Sequence, residues 1–216
     1  MPLTVANALR DGAARLARSA SAEADALELL SRLLGLTLLE LRTARVRVLS
    51  AEEAQRFESW LARRAAGEPV QYITGRAAFR SLDLVVDRRV LIRRPETEGL
   101  VEAVLTVLDT EAARWPRPRV CDLGCGSGAI ALSIASEHTA AIVTATDASA
   151  DALELARANA AALGLGSRVR FIGGDWYDAV SDERFEVVVS NPPYIATGEW
   201  DELPEDVRSF EPHAAL

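Results

Sequence analysis

The sequence predicts an α/β fold: an incomplete sheet of about four parallel strands, doubly wound, with a small helical bundle ahead of it and a β-hairpin between the two. Three observations lead there. From Arg119 onward, short apolar runs alternate with helix-like runs, the pattern of parallel strands joined by crossover helices. Residues 1–68 carry apolar residues at helical spacing and nothing at strand spacing. Residues 69–93, "PVQYITGRAAFRSLDLVVDRRVLIR", are rich in β-branched and aromatic residues and are interrupted by Gly75. The expected organisation is therefore a helical domain over 1–68, a hairpin linker over 69–93 and a sheet domain over 94–216.

The bundle comes first. Val5, Leu9, Ala13 and Leu16 share one helical face. Leu27, Leu30 and Leu34 share another, between a candidate cap at Ser21 and a stop at Gly35. Ser50 and Glu53 form a capping box for a third helix, which runs through Phe57, Trp60, Leu61 and Arg64 and stops by Gly67. The aromatics of that helix read as core. After the hairpin, a helix starts near Pro95 with acids in its first turn. "RWPRPR" leads into the first parallel strand, "RVCDL". "GAIALSIASEH" is a helix, "AIVTATD" a strand and "SADALELARANAAALG" a helix. "RVRFIGGD" and "FEVVVSN" complete the sheet.

Composition narrows the function. With 216 residues, 49% of them hydrophobic, the chain can bury a sizeable core. No run approaches the length of a membrane span, and "MPLTVANALRDG" lacks the pattern of a secretory leader, so a cytoplasmic location and no membrane partner are expected. Cys121 and Cys125 match no zinc framework, and His138 and His213 lie far from each other and from any nucleophile, so no metal is expected. All 24 basic side chains are Arg. Residues 1–115 hold 17 Arg against 16 acids, net +1, whereas residues 116–216 hold 7 against 16, net −9. An acidic second half argues against binding along a nucleic-acid backbone.

The strand ends carry the chemistry, because ligands of such sheets sit at the carboxyl ends of the strands. They read Asp122-Leu-Gly-Cys-Gly-Ser-Gly128, then Asp147, then Asp175-Trp176, then Asn191-Pro-Pro-Tyr194. The glycine turn lets a ligand approach the backbone closely. Asp147 closes the next strand, where a carboxylate can accept from ribose hydroxyls; a helix-capping role for it is the plain alternative. Gly128 is followed by Ala-Ile and no Arg or Lys is expected nearby to balance phosphate charge, so a nucleoside fits better than a dinucleotide. Asp175 and Trp176 offer an acceptor and a flat face to an adenine ring.

"DLGCGSGAIALSIA", "TATDASADALELARANA", "GDW" and "NPPY" together resemble the Rossmann-like, class I S-adenosylmethionine-dependent methyltransferases. "NPPY" is similar to the motif of those that methylate a planar amide-like or amino-aryl nitrogen. With "PVQYITG" and "LIRRPETE" upstream, the chain resembles the protein-(glutamine-N5) methyltransferases, the PrmC/HemK family, which act on peptide chain release factors in translation termination. The resemblance runs from the N-terminal helices to the last residue. It implies S-adenosyl-L-methionine as cofactor, S-adenosyl-L-homocysteine as product, and release factors as protein partners. The helical domain would recognise substrate, with no direct contact to nucleic acid. It implies roles as well. Gly124, Cys125, Gly126, Ser127 and Gly128 would hold the methionine part through backbone groups, and Asp147 the ribose. Asp175 and Trp176 would line the adenine site. Asn191, Pro192, Pro193 and Tyr194 would hold the substrate glutamine, with Asn191 also near the cofactor. Arg94 to Glu98 would lie over the cofactor.

The motif suits this task physically. A carboxamide nitrogen is a poor nucleophile because its lone pair is delocalised into the carbonyl. The Asn191 side-chain oxygen and the Pro192 carbonyl can each accept one amide N–H, fixing the NH2 plane and meeting the positive charge that grows on nitrogen. The prolines bring no competing N–H, and Tyr194 can stack on the planar amide. Three departures from the family pattern stand out. Arg80-Ser81 replace an aromatic and a glycine, and Arg93 replaces a proline. The chain also ends at "SFEPHAAL" where the family's sheet continues, so the fourth strand's outer edge is expected to be unpaired. Two other readings follow: a truncated, inactive cofactor-binding remnant, and an adenine-amino nucleic-acid methyltransferase.

Overall fold

The computed structural model describes residues 2–195 and 197–215, which leaves Leu216 of the "EPHAAL" segment outside the described residues. The chain divides at Gly75/Arg76 into two compact units.

The first unit is helical: α1 (Val5–Arg15), α2 (Ala22–Leu34), α3 (Leu38–Thr43), α4 (Ala51–Ala65) and α5 (Val70–Thr74). Its core holds Val5, Leu29, Leu30, Leu41, Phe57 and Leu61. Truncating any of the buried leucines to Ala is worth roughly 2–5 kcal/mol. The Ser50–Glu53 capping box forms, with each backbone N–H bonded by the other's side chain. An equivalent box, Thr37–Glu40, starts α3. Gly35 closes α2 in the left-handed conformation, as its position predicts. Ser21, the expected cap of α2, does not cap through its side chain. Its hydroxyl instead donates to Asp25, a buried carboxylate that also receives Ser19 Oγ and Arg64 Nε at 2.9 and 2.8 Å. Gly12 has a steric reason: a Cβ there would lie 3.2 Å from Phe57 Cζ, so the glycine lets α1 approach α4.

The segment expected to open the hairpin is helix instead. Residues 70–74, "VQYIT", have strand-forming side chains, yet Val70 and Ile73 turn into the helical core, and Gly75 ends α5 at φ 71°. Tertiary burial outweighs local propensity here. The hairpin itself is shorter than expected, β1 (Arg76–Phe79) against β2 (Leu82–Val85), antiparallel.

In the second unit, α6 (Glu96–Thr110) precedes β3 (Arg119–Leu123), α7 (Ala129–Glu137), β4 (Ile142–Asp147), α8 (Ala150–Ala162), β5 (Val169–Gly173), β6 (Val187–Ser190) and α9 (Glu205–Phe210). The four strands form one parallel sheet in the order β5-β4-β3-β6. Right-handed crossovers that step in one direction leave their helices on one face. Accordingly α6, α7 and α8 pack with Val120, Val143, Ala145, Val169 and Val189, and the hairpin adds Phe79, Leu82 and Leu84 to the same core. The chain then returns past β3 to β6. That connection is a 3-10 turn at Asp178–Val180 rather than a full helix, and Val180 and Phe185 pack against Cys121, Leu123 and Ile172. The second winding is thus present but short.

Two polar contacts tie the hairpin to the sheet domain. Val85 N–H donates to Asn159 Oδ1 of α8, whose amide donates to Val85 O and to Ser127 O in the glycine turn. Arg80, in the hairpin turn, is held at φ 51°. It bonds Glu137 of α7 twice at 2.7 Å and Glu102 of α6 at 2.9 Å, and its backbone N–H donates to Glu98. A left-handed conformation costs a non-glycine residue about 1–2 kcal/mol, which these contacts offset.

Candidate active site

The strand order reverses between β3 and β6, and an open parallel sheet binds ligands in the crevice at such a point. A cavity of about 300 Å³ lies there, at the carboxyl ends of all four strands. Gly124, Gly126, Asp147, Asp175, Trp176, Asn191, Pro192 and Pro193 are among its lining residues. The expected site residues Cys125, Ser127, Gly128 and Tyr194 are not in the lining.

The β3–α7 turn is held by its own chain. Gly124 and Cys125 N–H groups both donate to Thr146 O, Gly126 N–H donates to Asp147 Oδ2 at 2.8 Å, and Gly128 N–H donates to Cys125 O. With these donors engaged, the turn is no cradle for a pyrophosphate. It offers shape and carbonyl oxygens instead. Gly124, Gly126 and Gly128 all have φ between 55° and 83°, which favours glycine at each. They differ in what surrounds them. At Gly124 a side chain would meet open space, at Gly128 it would press on Leu132 and Ala156, and at Gly126 it would strike Arg93 Nη2 at 2.9 Å.

Asp147 combines two roles that the sequence set against each other. It accepts Ser149 N–H on one oxygen and Gly126 N–H on the other, while Ser149, not Asp147, caps α8. Each oxygen keeps a lone pair for a further donor at the cavity wall. Asp122, the acid that opens the turn, is fully buried and outside the cavity lining. Its Oδ2 accepts Ala131 N–H in the first turn of α7, and Oδ1 has no hydrogen-bond partner among the described residues. Burial pushes its carboxyl up to about 6, against the pull of Arg93 and the Ala131 N–H. Burial also pushes both thiols up, Cys121 to about 12, so neither is a nucleophile near neutral pH.

Trp176 stands at the rim in a left-handed conformation, φ 46°, with 51% of its surface exposed. Gly174 makes that bend possible, since a Cβ there would lie 2.5 Å from the Ala179 side chain. At β6, Ser190 Oγ anchors the turn to Leu123 O. The Asn191 side chain makes no hydrogen bond among the described residues. The Tyr194 ring is 75% exposed.

One wall escaped the sequence. Arg89, Val90, Leu91 and Arg93 line the cavity, from a stretch expected to be hairpin. It turns at Arg89, bends at Val90 and forms no strand, although its apolar alternation resembled one. Arg94 bonds Glu211 at 2.7 Å and Glu98 accepts from Arg80 N–H, and the lining residues of this stretch lie just upstream of "RPETE". Pro212 and Ala215 complete the rim.

A family model described as the PrmC N-terminal domain matches residues 7–75, and one described as a methyltransferase small domain matches residues 101–203. A release factor glutamine methyltransferase of Cereibacter sphaeroides is 43% identical over 216 residues, covering 99% of this chain and 74% of that protein. The chain belongs to the release factor glutamine methyltransferase family. Other members include that of Chlorobaculum tepidum, 43% identical across 87% of this chain and 66% of its own length. That of Xylella fastidiosa is 49% identical across 78% of this chain and 59% of its own. The chain therefore spans somewhat under two thirds of the length of these two family members. None of the helices among the described residues is long and apolar enough to cross a membrane.

Proposed function

We propose that the protein transfers a methyl group from S-adenosylmethionine to the side-chain amide nitrogen of the glutamine in the Gly-Gly-Gln loop of peptide chain release factors. The observation that carries this is one cavity lined by Asn191 and Pro192 together with Asp147, Gly124 and Gly126. The relatives are named release factor glutamine methyltransferases, which supports a release factor glutamine as the substrate.

The residues present fit the cofactor. Gly124 leaves room for close approach, Asp147 has lone pairs for the ribose, and Asp175 with Trp176 offers an edge and a face for adenine. Turn carbonyls, in place of N–H donors, suit an ammonium and not a phosphate. The cofactor, when bound, supplies a methyl group already activated on a sulfonium.

The chain's own task is alignment. Asn191 Oδ1 and the Pro192 carbonyl accept the two amide hydrogens and turn the nitrogen's out-of-plane face toward the methyl group. Both oxygens also stabilise the positive charge that develops on nitrogen. Positioning of this kind reaches roughly 7–11 kcal/mol in favourable model reactions. No dedicated base is needed, because the methylated nitrogen is acidic and loses its proton afterwards. Tyr194 packs on the amide plane only once substrate covers it, consistent with its exposure. Release factors are the proposed partners, and the net −9 of residues 116–216 speaks against a nucleic-acid substrate.

The test is incubation of the chain with methyl-labelled S-adenosylmethionine and an unmodified release factor, with the label located by peptide mass. Label on the Gly-Gly-Gln glutamine is expected. Cofactor binding with no label on any release factor, or label on adenine in DNA, would overturn the proposal.

A further inference from the structure

Arg93 is the unexplained charge of the cavity. It lines the wall, and its guanidinium lies against Gly126. Nη2 donates to Gly124 O at 3.2 Å and to Cys125 O at 2.8 Å. Nε is buried without a partner, and Nη1 makes no hydrogen bond among the described residues. A sheltered guanidinium N–H left unsatisfied is costly, and such a donor on a cavity wall points to an acceptor that arrives with the ligand. The other arginine of the lining, Arg89, is already committed to Asp87 and Glu154. The remaining charged lining groups, Asp147 and Asp175, are acids.

We infer that Arg93 receives the carboxylate at the amino-acid end of the ligand. This rests on the reading of the cavity as an S-adenosylmethionine site. An α-amino acid carries an ammonium and a carboxylate on one carbon, so it needs acceptors and a cation side by side. The turn presents that pair: two carbonyls with lone pairs to spare, and a guanidinium bonded to them. With Nη2 bonded to both carbonyls, the guanidinium still keeps N–H donors on Nε and Nη1 for a carboxylate, a spread of donors that a lysine ammonium cannot match. The charge also acts within the protein, since it favours the ionised form of buried Asp122 against the effect of burial. Arg93 is therefore a binding residue for one end of the cofactor. It is silent toward ligands that lack that end.

Two ligands isolate the effect: S-adenosylhomocysteine, which has the amino-acid end, and 5′-methylthioadenosine, which shares the adenosine and thioether but lacks it. By calorimetry, Arg93→Gln is expected to weaken S-adenosylhomocysteine about tenfold or more, in line with a lost charged hydrogen bond. It should leave 5′-methylthioadenosine within about twofold on the same basis. Arg93→Lys should fall between. Equal loss for both ligands, or none for either, overturns the inference. A wild-type chain that binds neither ligand overturns the cofactor reading itself. Should both variants fail to fold, the wild-type chain still decides. A homocysteine-end analogue lacking only the carboxylate must bind at least about tenfold more weakly than S-adenosylhomocysteine, and equal affinity sinks the assignment.

Discussion

Two turns contribute to the cavity lining, and they are built differently. The Gly124–Gly128 turn is closed on itself: its N–H groups are bonded to Thr146 and Asp147, its two inner side chains are buried, and Asn159 holds Ser127 O from behind. The Asn191–Tyr194 turn is open. A single hydroxyl contact from Ser190 anchors it, its prolines donate nothing, its asparagine has no bonded partner among the described residues, and its tyrosine lies in solvent. The difference teaches that one side of the cavity is finished before any ligand arrives, whereas the other is completed by what binds there. A preformed side suits a cofactor shared by every turnover, and an open side suits a macromolecular substrate.

The sharpest way to break this comparison is Asn191→Ala. Loss of one proposed acceptor at the reacting nitrogen is expected to lower the transfer rate about 10²–10³-fold. Cofactor affinity and the thermal midpoint should barely move, because nothing in the fold leans on that side chain. A matching loss of stability would mean the open turn is structural after all.

The closed turn should instead reveal itself through stability. Asp122 has its pKa raised in the folded state, so its contribution is full below the unfolded pKa near 3.8 and is lost as pH rises through about 6. Asp122→Asn keeps an acceptor for Ala131 N–H and removes the titration. Urea unfolding should show the variant gaining on the wild type across that pH window, by about 3 kcal/mol in total, and a constant difference is expected above it. A difference that does not change with pH would show that Asp122 is not the strained group of the turn.

Asp147→Ala tests the link between the two sides. It removes the proposed ribose acceptor and also frees Gly126 N–H. Cofactor affinity is expected to fall about 30-fold, roughly 2 kcal/mol, with a smaller drop in stability. Unchanged affinity by calorimetry would restrict Asp147 to its structural bonds.

The smallest effect belongs to Tyr194→Ala, about 1 kcal/mol or fivefold in KM for the release factor, with cofactor affinity unaltered. A drop in cofactor affinity instead would place the ring on the finished side.

Much of this was written in local sequence. The Ser50–Glu53 box, the Gly35 stop, the parallel strands and their polar ends are short-range signals, because caps, left-handed residues and apolar periodicity act within a few residues. Tyr194 and Asp147 show where such signals stop. The sequence could name both residues, but not that one stands in solvent or that the other bonds two backbone groups at once.

What the sequence determined by itself was the fold class, the family and the side chains at the strand ends, since each rests on neighbours in the chain. The tertiary structure alone decided that "VQYIT" would be helix, because burial of Val70 and Ile73 outweighs their strand preference. It also decided that Asn159 would brace the glycine turn across 32 residues, and that the unpaired stretch 89–93 would wall the cavity with Arg93 laid on Gly126. These are contacts between residues far apart in the chain. Their energies come from burial and from hydrogen bonds that exist only once the sheet has closed, and no local pattern encodes them.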